Sequence, residues 1–387
     1  MFRLLLLPLF FVSFYGVCKV SSEQIKKLDA LFAPTVAADT VPGINIAIAD
    51  SNGIVWAQAY GLADSENNVA MTPAHKMRVG SIAKLITVAA MMRLVEQGKL
   101  SLDTPITKYV ADWPTTHKPI TLRQLAAHTA GIRSYHDDAE FILNQYFATT
   151  QASLGLFKDD ALLFEPGTAH LYSTFAFTLI AAAMEGADKK RSFKQIIQQQ
   201  VFAPLSMQDT VFDDQAEIIP KRQRPYVVRE GKLFNAPQSD HSYKYAGGGF
   251  IATPSDISRF AVAHGQAGYL TQTSLDDMFT QARLKNGNTL PFGIGWMVDF
   301  DNYKNRSYYQ GNLKVQDLMA SFDNAVMHSG GSNGGTTMLI LCREHQRSVT
   351  VVKNVDGEYS ADVFLLALQA LSMFHNDASA ASQSNSQ

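Results

Sequence analysis

Cysteine and metal-ligand patterns are scarce in this 387-residue sequence. It contains two cysteines, Cys18 and Cys342, and its ten histidines include no His-x-x-x-His or His-x-His pair. Because metal centres such as zinc sites need closely spaced ligands, a metal-dependent enzyme is not expected. Cys18 lies in a predicted leader, so the mature chain keeps one cysteine and has no disulfide. The sequence therefore predicts no metal and no cofactor.

The sequence also lacks a strong excess of charge of either sign. It has 33 Lys and Arg against 35 Asp and Glu, a formal charge of -2, and no long basic or acidic run. Nucleic-acid binding driven by counterion release is therefore not expected. Apolar residues make up 46% and charged residues 18%, which excludes the composition of a disordered chain. This composition favours a folded globular protein that binds a small or extended neutral ligand.

Long hydrophobic runs are limited to one segment at the start of the sequence. Arg3 precedes an apolar stretch from Leu4 to Val17, and about 14 apolar residues are too few to cross a bilayer core of ~30 Å. We predict a signal peptide at residues 1–18 and a periplasmic or secreted protein without a stable membrane span after leader removal. An uncleaved N-terminal anchor and a lipidated Cys18 are the alternatives.

Strand and helix patterns divide the rest of the sequence. Two strand-like runs, Gly43–Ala49 and Ile54–Tyr60, flank Asn52-Gly53, which is a strong hairpin signal. Ser81–Glu96 is apolar nearly all round, as in a buried central helix, and strand patterns are scarce between about residues 101 and 204. Further strands are predicted at 226–229, 293–300, 325–328, 336–342 and 348–354, before a helix at 360–374.

Strands near both ends of the chain, with helices between them, indicate an α+β fold. We predict one antiparallel sheet built from both chain ends and flanked by helices, with a largely helical inserted subdomain. A doubly wound parallel sheet would need a regular strand-helix alternation, which the sequence lacks. We place a single domain at residues 19–375, followed by a disordered tail at 376–387 that is rich in Ser, Ala, Asn and Gln.

A candidate nucleophile and a candidate base begin the apolar helix. Ser81 and Lys84 are three residues apart, so their side chains lie on the same helical face and can hydrogen-bond. A lysine accepts the serine proton only when it is neutral, and a solvated lysine with a pKa of about 10.4 is almost fully charged at pH 7. Burial in the apolar helix would lower that pKa. The alternative is a serine that caps the helix beside a solvated lysine.

A second serine motif lies near the C-terminus. Residues 330–334 read Gly-Gly-Ser-Asn-Gly, with Ser332 at the centre, and match the Gly-x-Ser-x-Gly pattern of the α/β-hydrolase nucleophile. That pattern must be followed by a helix and by acidic and histidine partners. Here residues 336–342 have a strand pattern, and His345 and His375 are the only later histidines. We therefore interpret the segment as a tight turn between adjacent strands.

The surroundings of the first serine motif resemble those of a known family. The chain contains three motifs, which are Ser81–Lys84, Pro166–Thr168 with Tyr172–Thr174, and His328–Gly330. Their order and spacing resemble those of the active-site serine penicillin-recognising enzymes. Three longer blocks resemble the beta-lactamase-related family of class C beta-lactamases, D-alanyl-D-alanine carboxypeptidases and esterases, and they are Gly98–Asp103, Leu125–Ile132 and Ala246–Thr253. Two further blocks most resemble the mitochondrial serine beta-lactamase-like members of that family, and they are Phe164–Gly167 followed by Tyr172–Phe175, and Ser242–Phe250. The resemblance covers about residues 25–370.

The resemblance implies a catalytic role for three residues. Ser81 corresponds to the acylated nucleophile, and its N–H at the helix start corresponds to one oxyanion donor. Lys84 corresponds to the base that activates the serine. Tyr172 corresponds to a second base, a phenol that relays a proton to the leaving group.

The resemblance also implies residues that bind the substrate and the oxyanion. His328 and Gly330 belong to the third motif, in which relatives usually have lysine or histidine at the position of His328, and Gly331 corresponds to the second oxyanion donor. Thr174 stands where many relatives have asparagine, so efficient beta-lactam hydrolysis is not expected. A histidine at 328 need not be charged at neutral pH, which weakens the case for a substrate carboxylate there. His128 is interpreted as scaffold.

Taken with these departures, the resemblance implies a serine hydrolase that works through an acyl-enzyme on a peptide or small acyl substrate. We expect a peptidase or amidase. The alternatives are an esterase, a weak beta-lactamase, or a catalytically silent binding or self-assembling protein. The sequence leaves the oligomeric state open.

Overall fold

A computed structural model describes residues 20–37, 40–300, 312–322, 324–357 and 362–374. The predicted signal peptide at 1–18 and the predicted tail at 376–387 lie outside the described residues. Within the described ranges, no helix combines the length and the apolar character needed to cross a membrane.

The helices and strands have the following bounds. The strands are β1 (Gly43–Asp50), β2 (Gly53–Asp64), β3 (Val69–Ala70), β4 (Met77–Arg78), β5 (Thr210–Phe212), β6 (Tyr226–Arg229), β7 (Lys232–Asn235), β8 (Phe250–Ala252), β9 (Ala325–Ser332), β10 (Gly335–Cys342), β11 (Arg347–Lys353) and β12 (Val355–Gly357). The α-helices are α1 (Ser22–Phe32), α2 (Ile82–Glu96), α3 (Leu122–Ala126), α4 (Asp138–Phe141), α5 (Thr150–Leu154), α6 (Phe175–Asp188), α7 (Phe193–Ile197), α8 (Tyr245–Gly248), α9 (Pro254–Val262), α10 (Gln272–Phe279), α11 (Leu313–Ala320) and α12 (Val363–Ser372). Short 3-10 or π-helical turns cover Ala33–Val36, Ile106–Lys108, Gln198–Phe202 and Ser242–Lys244.

The main sheet joins strands from both ends of the chain. Its order is β3-β2-β1-β11-β10-β9, with every neighbouring pair antiparallel. At its centre β1 pairs with β11, with Ile46 opposite Val351. The β1–β2 hairpin closes between Asp50 and Gly53, at the predicted Asn-Gly turn. The α+β class and the antiparallel sheet built from both chain ends are thus confirmed.

Helices cover both faces of this sheet. Ile44, Ile46 and Ile48 of β1 point to one face and pack in an apolar cluster that includes α12. On the other face α9 packs on β1 and β11, and Ser258 of α9 donates a hydrogen bond to the Ala47 carbonyl. Alternate residues of a strand face opposite sides of the sheet, so the isoleucines and the alanines of β1 pack against different helices. Because each fully buried isoleucine contributes about 1.5–3 kcal/mol, β1 anchors the sheet between its two helical layers.

Helix α2 occupies the centre of the helical part of the fold. Every residue from Ile82 to Met92 is buried, and the helix packs against α6 and α8. A helix without a polar face is stable only when other elements surround it. This burial includes the one charged side chain in its first two turns, Lys84.

The predicted strand at residues 293–300 is wrong. Phe292 and Met297 instead form an isolated bridge across a turn, in which the Gly293 N–H donates to the Trp296 carbonyl. Met297 also bridges to Met327 of β9. The chain reverses direction within this apolar run, so its residues do not form a continuous hydrogen-bonded ladder with a neighbouring strand.

Candidate functional site

Ser81 and Lys84 meet at the first turn of α2. Ser81 precedes the helix and is half-buried, whereas the Lys84 side chain is fully buried. Lys84 Nζ lies 3.1 Å from Ser81 Oγ, within hydrogen-bond distance. The three-residue spacing therefore brings a hydroxyl and an amine into contact at the positive end of a buried helix.

The environment of Lys84 favours a neutral amine. Burial lowers the pKa of Lys84 from its ordinary 10.5 to about 7. Besides Ser81, the amine has two acceptors, the Gly247 carbonyl at 2.7 Å and Thr174 Oγ1 at 3.2 Å. A neutral amine has two N–H donors and one lone pair. Because the two acceptors can take both N–H groups, the lone pair is left for the hydroxyl proton of Ser81.

Tyr172 lies close to both Ser81 and Lys84. The Ser81 and Tyr172 side chains are hydrogen-bonded, and Lys84 Nζ lies 4.8 Å from the centroid of the Tyr172 ring. Burial raises the pKa of Tyr172 above its ordinary 10, against a smaller lowering effect of the bond to Ser81. The phenol is therefore protonated at neutral pH and is suited to deliver a proton rather than to remove one.

His128 positions the Tyr172 ring. The two rings stack with centroids 4.2 Å apart and an angle of 29° between their planes. His128 Nδ1 accepts a hydrogen bond from the Ser173 N–H at 3.1 Å, and its carbonyl accepts one from the Leu171 N–H at 3.0 Å. Burial lowers the pKa of His128 well below 6.5, so the ring is neutral and its Nδ1 can accept. The residue interpreted as scaffold thus holds both neighbours of Tyr172.

Strand β9 passes directly beside the segment that leads to Ser81. A Cβ on Gly330 would lie 2.0 Å from the Val79 carbonyl oxygen, and a Cβ on Gly80 would lie 2.5 Å from the Gly331 carbonyl oxygen. Both distances are far below van der Waals contact, so neither glycine can be replaced without moving the backbone. This close approach brings the backbone of Gly331 to the cavity that Ser81 lines.

The second serine motif has no catalytic geometry. Ser332 ends β9 and pairs with Gly335 of β10 across a tight turn, so the turn interpretation is confirmed. Its Oγ is buried and has no hydrogen-bond partner among the described residues. A nucleophile elbow requires a helix after the serine and a base beside it, and here a strand follows.

His328 lies in β9 behind the Tyr172 ring. Its side chain is buried, with Nδ1 2.6 Å from the Ser329 carbonyl oxygen, and its ring centroid is 6.3 Å from that of Tyr172. Burial and the nearby charge of Lys84 lower the pKa of His328 to about 4. His328 is therefore neutral at pH 7. It does not line the cavity beside Ser81.

Thr174 can make some of the hydrogen bonds that an asparagine at this position would make. Its Oγ1 lies 3.2 Å from Lys84 Nζ, so contact with the amine is kept. Its hydroxyl also hydrogen-bonds to the phenol of Tyr135. A single hydroxyl has one donor and cannot reproduce the two N–H groups of an amide. A substrate carbonyl therefore loses a donor that an asparagine would offer.

These groups surround a cavity of about 270 Å³. Two cavity residues that the sequence reasoning missed are Tyr135 and Lys244. Lys244 lies in the Ser242–Phe250 block, which supports the family resemblance. The feature of the sequence that could have indicated Lys244 is its position between two tyrosines. The cavity is lined by Ser81, Ser134, Tyr135, Phe141, Tyr172, Thr174, Lys244, Gly247, Gly248, Gly331, Ser332 and Asp356.

A buried ion-pair network ties the walls of the cavity together. Arg78, just before the nucleophile, bonds to Asp213 at 2.8 Å and to the Asn333 carbonyl at 2.6 Å. His241 Nδ1 lies 3.1 Å from Asp213, on the segment that leads to α8. Burial would raise the pKa of Asp213, but Arg78, His241 and Arg222 together lower it below 3.8. The network fixes the Ser81 segment, the β9–β10 turn and the α8 segment relative to one another.

Comparison with known proteins agrees with this geometry. A family described as Beta-lactamase matches residues 28–372. The mitochondrial serine beta-lactamase-like protein LACTB of Bos taurus is 31% identical, over 78% of this chain and 69% of its own. The D-alanyl-D-alanine-carboxypeptidase/endopeptidase AmpH of Escherichia coli is 25% identical, over 73% of this chain and 79% of its own.

Solved structures share the fold. The D-amino acid amidase of Ochrobactrum anthropi superposes with a TM-score of 0.74 and 20% identity, covering 92% of this chain and all of that one. The penicillin-binding fold expected from the motifs is thus confirmed. With the family match over most of its length, the chain belongs to the beta-lactamase-related family of serine hydrolases.

Proposed function

We propose that this protein is a serine hydrolase in which Ser81 forms an acyl-enzyme with an amide or peptide substrate. The observation that carries the proposal is the buried Lys84, whose Nζ lies 3.1 Å from Ser81 Oγ and has two other acceptors for its N–H groups. Its pKa of about 7 provides a neutral amine at physiological pH. Family membership and the fold shared with amidases and carboxypeptidases support the same chemistry.

In the proposed acylation, Lys84 takes the Ser81 proton as Oγ bonds to the substrate carbonyl carbon. The carbonyl oxygen becomes negatively charged, and the N–H groups of Ser81 and Gly331 stabilise that charge. Tyr172 gives its proton to the leaving group as the bond between carbon and nitrogen or oxygen breaks, and it regains a proton from the Lys84 ammonium. Water then attacks the carbonyl carbon of the ester on Ser81 while Lys84 accepts a proton from that water. The bond between this carbon and Oγ breaks, Lys84 returns the proton to Oγ, and the acid is released.

Esters are the second candidate substrates, and Thr174 is the observation that favours them. An ester has no N–H to satisfy, and an activated alcohol leaves without much help from a proton donor. The missing amide donor at position 174 therefore costs ester turnover less than amide or beta-lactam turnover. A slow beta-lactamase would acylate with penicillins and release the product slowly.

Covalent labelling with a fluorophosphonate tests the proposal. Wild-type protein and Ser332→Ala should be labelled, whereas Ser81→Ala should not, because of these two serines Ser81 has a base within hydrogen-bond distance and Ser332 has none among the described residues. Ser332 is the matched control, since it lines the same cavity. Labelling that survives in Ser81→Ala, or that is lost in Ser332→Ala, would show that Ser81 is not the nucleophile. An unlabelled wild-type protein would favour the silent binding protein.

A substrate screen then separates the activities. Peptide amides, esters and beta-lactams are compared by kcat/KM, with Ser81→Ala as the blank for each. We propose that amides are the natural substrate class. If the protein turns over esters alone, the activity is that of an esterase and the proposed amidase is wrong.

We also propose that the protein is exported to the periplasm or secreted, from the leader-like pattern at residues 1–18. Cell fractionation with mass spectrometry of the N-terminus tests this. A cytoplasmic protein that retains residues 1–18 would contradict it.

A further inference from the structure

The cavity beside Ser81 contains a second buried lysine. Lys244 is 2% exposed, yet it lines the cavity together with Ser81, Tyr135 and Thr174. Of the cavity-lining residues in the described part of the chain, it alone is a lysine or arginine. The mechanism proposed above does not use it.

Aromatic rings hold the Lys244 amine at this wall. Its Nζ lies 4.2 Å from the centroid of the Phe141 ring, 5.0 Å from that of Tyr243 and 5.3 Å from that of Tyr135. These contacts favour a cation over the ring faces. The Phe141 carbonyl, at 2.5 Å, is the hydrogen-bond acceptor that the described residues provide. An ammonium has three N–H donors, so two of them are available to a ligand in the cavity.

The histidine of the third motif adds no charge to the cavity. The His328 ring is neutral at pH 7 and does not line the cavity. Asp356 lines the cavity with Gly331 and Ser332, so that wall carries an acidic side chain. Among the cavity-lining residues that the structure describes, Lys244 is therefore the basic side chain that can attract a negatively charged substrate group.

We propose that Lys244 is a specificity residue whose ammonium group binds a substrate carboxylate, so that the site favours acyl substrates with a negative charge. This inference rests on the proposed function, because the cavity concerned is the one that contains Ser81. A charge-assisted hydrogen bond in a site shielded from water contributes about 1.5–3 kcal/mol, which corresponds to about a ten- to hundredfold preference.

A bound carboxylate would also change the ionisation of Lys244. Burial is the largest cause that lowers the pKa of Lys244 well below 10.5. A carboxylate beside the amine favours its charged form and would raise that pKa. The titratable and charged groups around the amine are Arg78, Lys84, Tyr135, Asp213, His241 and Tyr243.

Matched esters test the preference. One pair consists of 4-nitrophenyl esters of a six-carbon acyl chain that ends in a carboxylate or in a carboxamide. A second pair, 3-carboxyphenyl acetate and 3-carbamoylphenyl acetate, places the same difference on the leaving group. The readout is the ratio of kcat/KM within a pair, per site labelled by a neutral fluorophosphonate. The two pairs show which half of the substrate carries the recognised charge.

Three variants accompany the wild-type protein. The ratio should fall from about ten or more towards one in Lys244→Met and should be partly kept in Lys244→Arg. Lys194→Met is the matched control, because Lys194 also lies over two aromatic rings, Phe212 and Tyr245, but outside this cavity. Its ratio should match that of the wild type.

The outcomes separate this inference from the proposed function. A labelled wild-type protein with no preference in either pair, or with a preference unchanged in Lys244→Met, overturns the role of Lys244 alone. An unlabelled wild-type protein refutes the hydrolase. In that case calorimetric titration of the esters into Ser81→Ala still measures the preference as a ratio of dissociation constants. Equal constants overturn the inference, and tighter binding of the anionic ester supports it.

Discussion

Replacing Lys84 with methionine should inactivate the protein and at the same time stabilise it. Burial lowers the pKa of Lys84 from 10.5 to about 7, which is a penalty of about 5 kcal/mol for the folded state at pH 7. Methionine removes that penalty but leaves the Gly247 carbonyl without its donor, at a cost of about 1–3 kcal/mol. Lys84→Met should therefore raise the free energy of unfolding by about 2–4 kcal/mol, measured by urea denaturation.

The stability difference between Lys84→Met and the wild type depends on pH. Between pH 7 and 10.5 the unfolded lysine holds a proton that the folded lysine lacks, so wild-type stability rises with pH, by about 1.4 kcal/mol per unit. The methionine variant lacks this gain. Its advantage should therefore be largest at or below pH 7 and should shrink by nearly 3 kcal/mol at pH 9. An exposed control, Lys26→Met in α1, should shift stability by less than about 0.5 kcal/mol at either pH.

The same pKa controls acylation. The rate of fluorophosphonate labelling should rise about tenfold per pH unit below pH 7 and level off above it, because the neutral fraction of Lys84 saturates. Lys84→Met should lower the rate by about two to four orders of magnitude. The reasoning is refuted if the wild-type rate still climbs tenfold per unit at pH 9, or if Lys84→Met is less stable than wild type at pH 7.

Three further outcomes follow from the site and the core. Tyr172→Phe should slow acylation by amides by about two orders of magnitude or more, and it should slow acylation by activated esters less, because the amide leaving group needs the phenol proton. Equal losses of kcat/KM for amides and esters would show that Tyr172 does not supply this proton. Thr174→Asn should improve amide over ester turnover by up to about 1–3 kcal/mol, and an unchanged ratio would contradict the missing-donor explanation. Burial lowers the pKa values of His241, His264 and His328 from 6.5 to about 4. Between these values the unfolded chain binds more protons, so stability should fall by up to about 4 kcal/mol per unit as the pH drops from 6.5 towards 4. Urea midpoints at pH 7 and 5 measure this, and equal midpoints would count against neutral buried histidines.

Local patterns sufficed wherever local geometry decides the structure. The Asn52-Gly53 turn predicted the β1–β2 hairpin because these residues adopt the backbone conformations that tight hairpins require. The contact between Ser81 and Lys84 follows from the helical repeat, whatever surrounds the helix. The strand predicted at 293–300 shows the limit of such patterns, because an apolar run does not reveal whether a partner strand lies beside it.

Motif order along the chain predicts that Ser81, Tyr172 and Thr174 lie together, because the family resemblance supplies their spatial relation. It did not supply their ionisation. Tyr172 was expected as a base, whereas burial keeps its phenol protonated. His328 was expected to bind substrate, whereas its ring packs behind Tyr172 and is neutral.

The sequence by itself determined the candidate residues of the site, the helical spacing of two of them, and the sheet that joins both chain ends. Tertiary structure decided their charge states and the second lysine of the cavity. Lys84, Thr174 and Gly247 are brought together by α2, α6 and α8, which are distant in sequence. A pKa depends on how much water and which charges surround the titrating atom, and these surroundings are created only when distant segments pack.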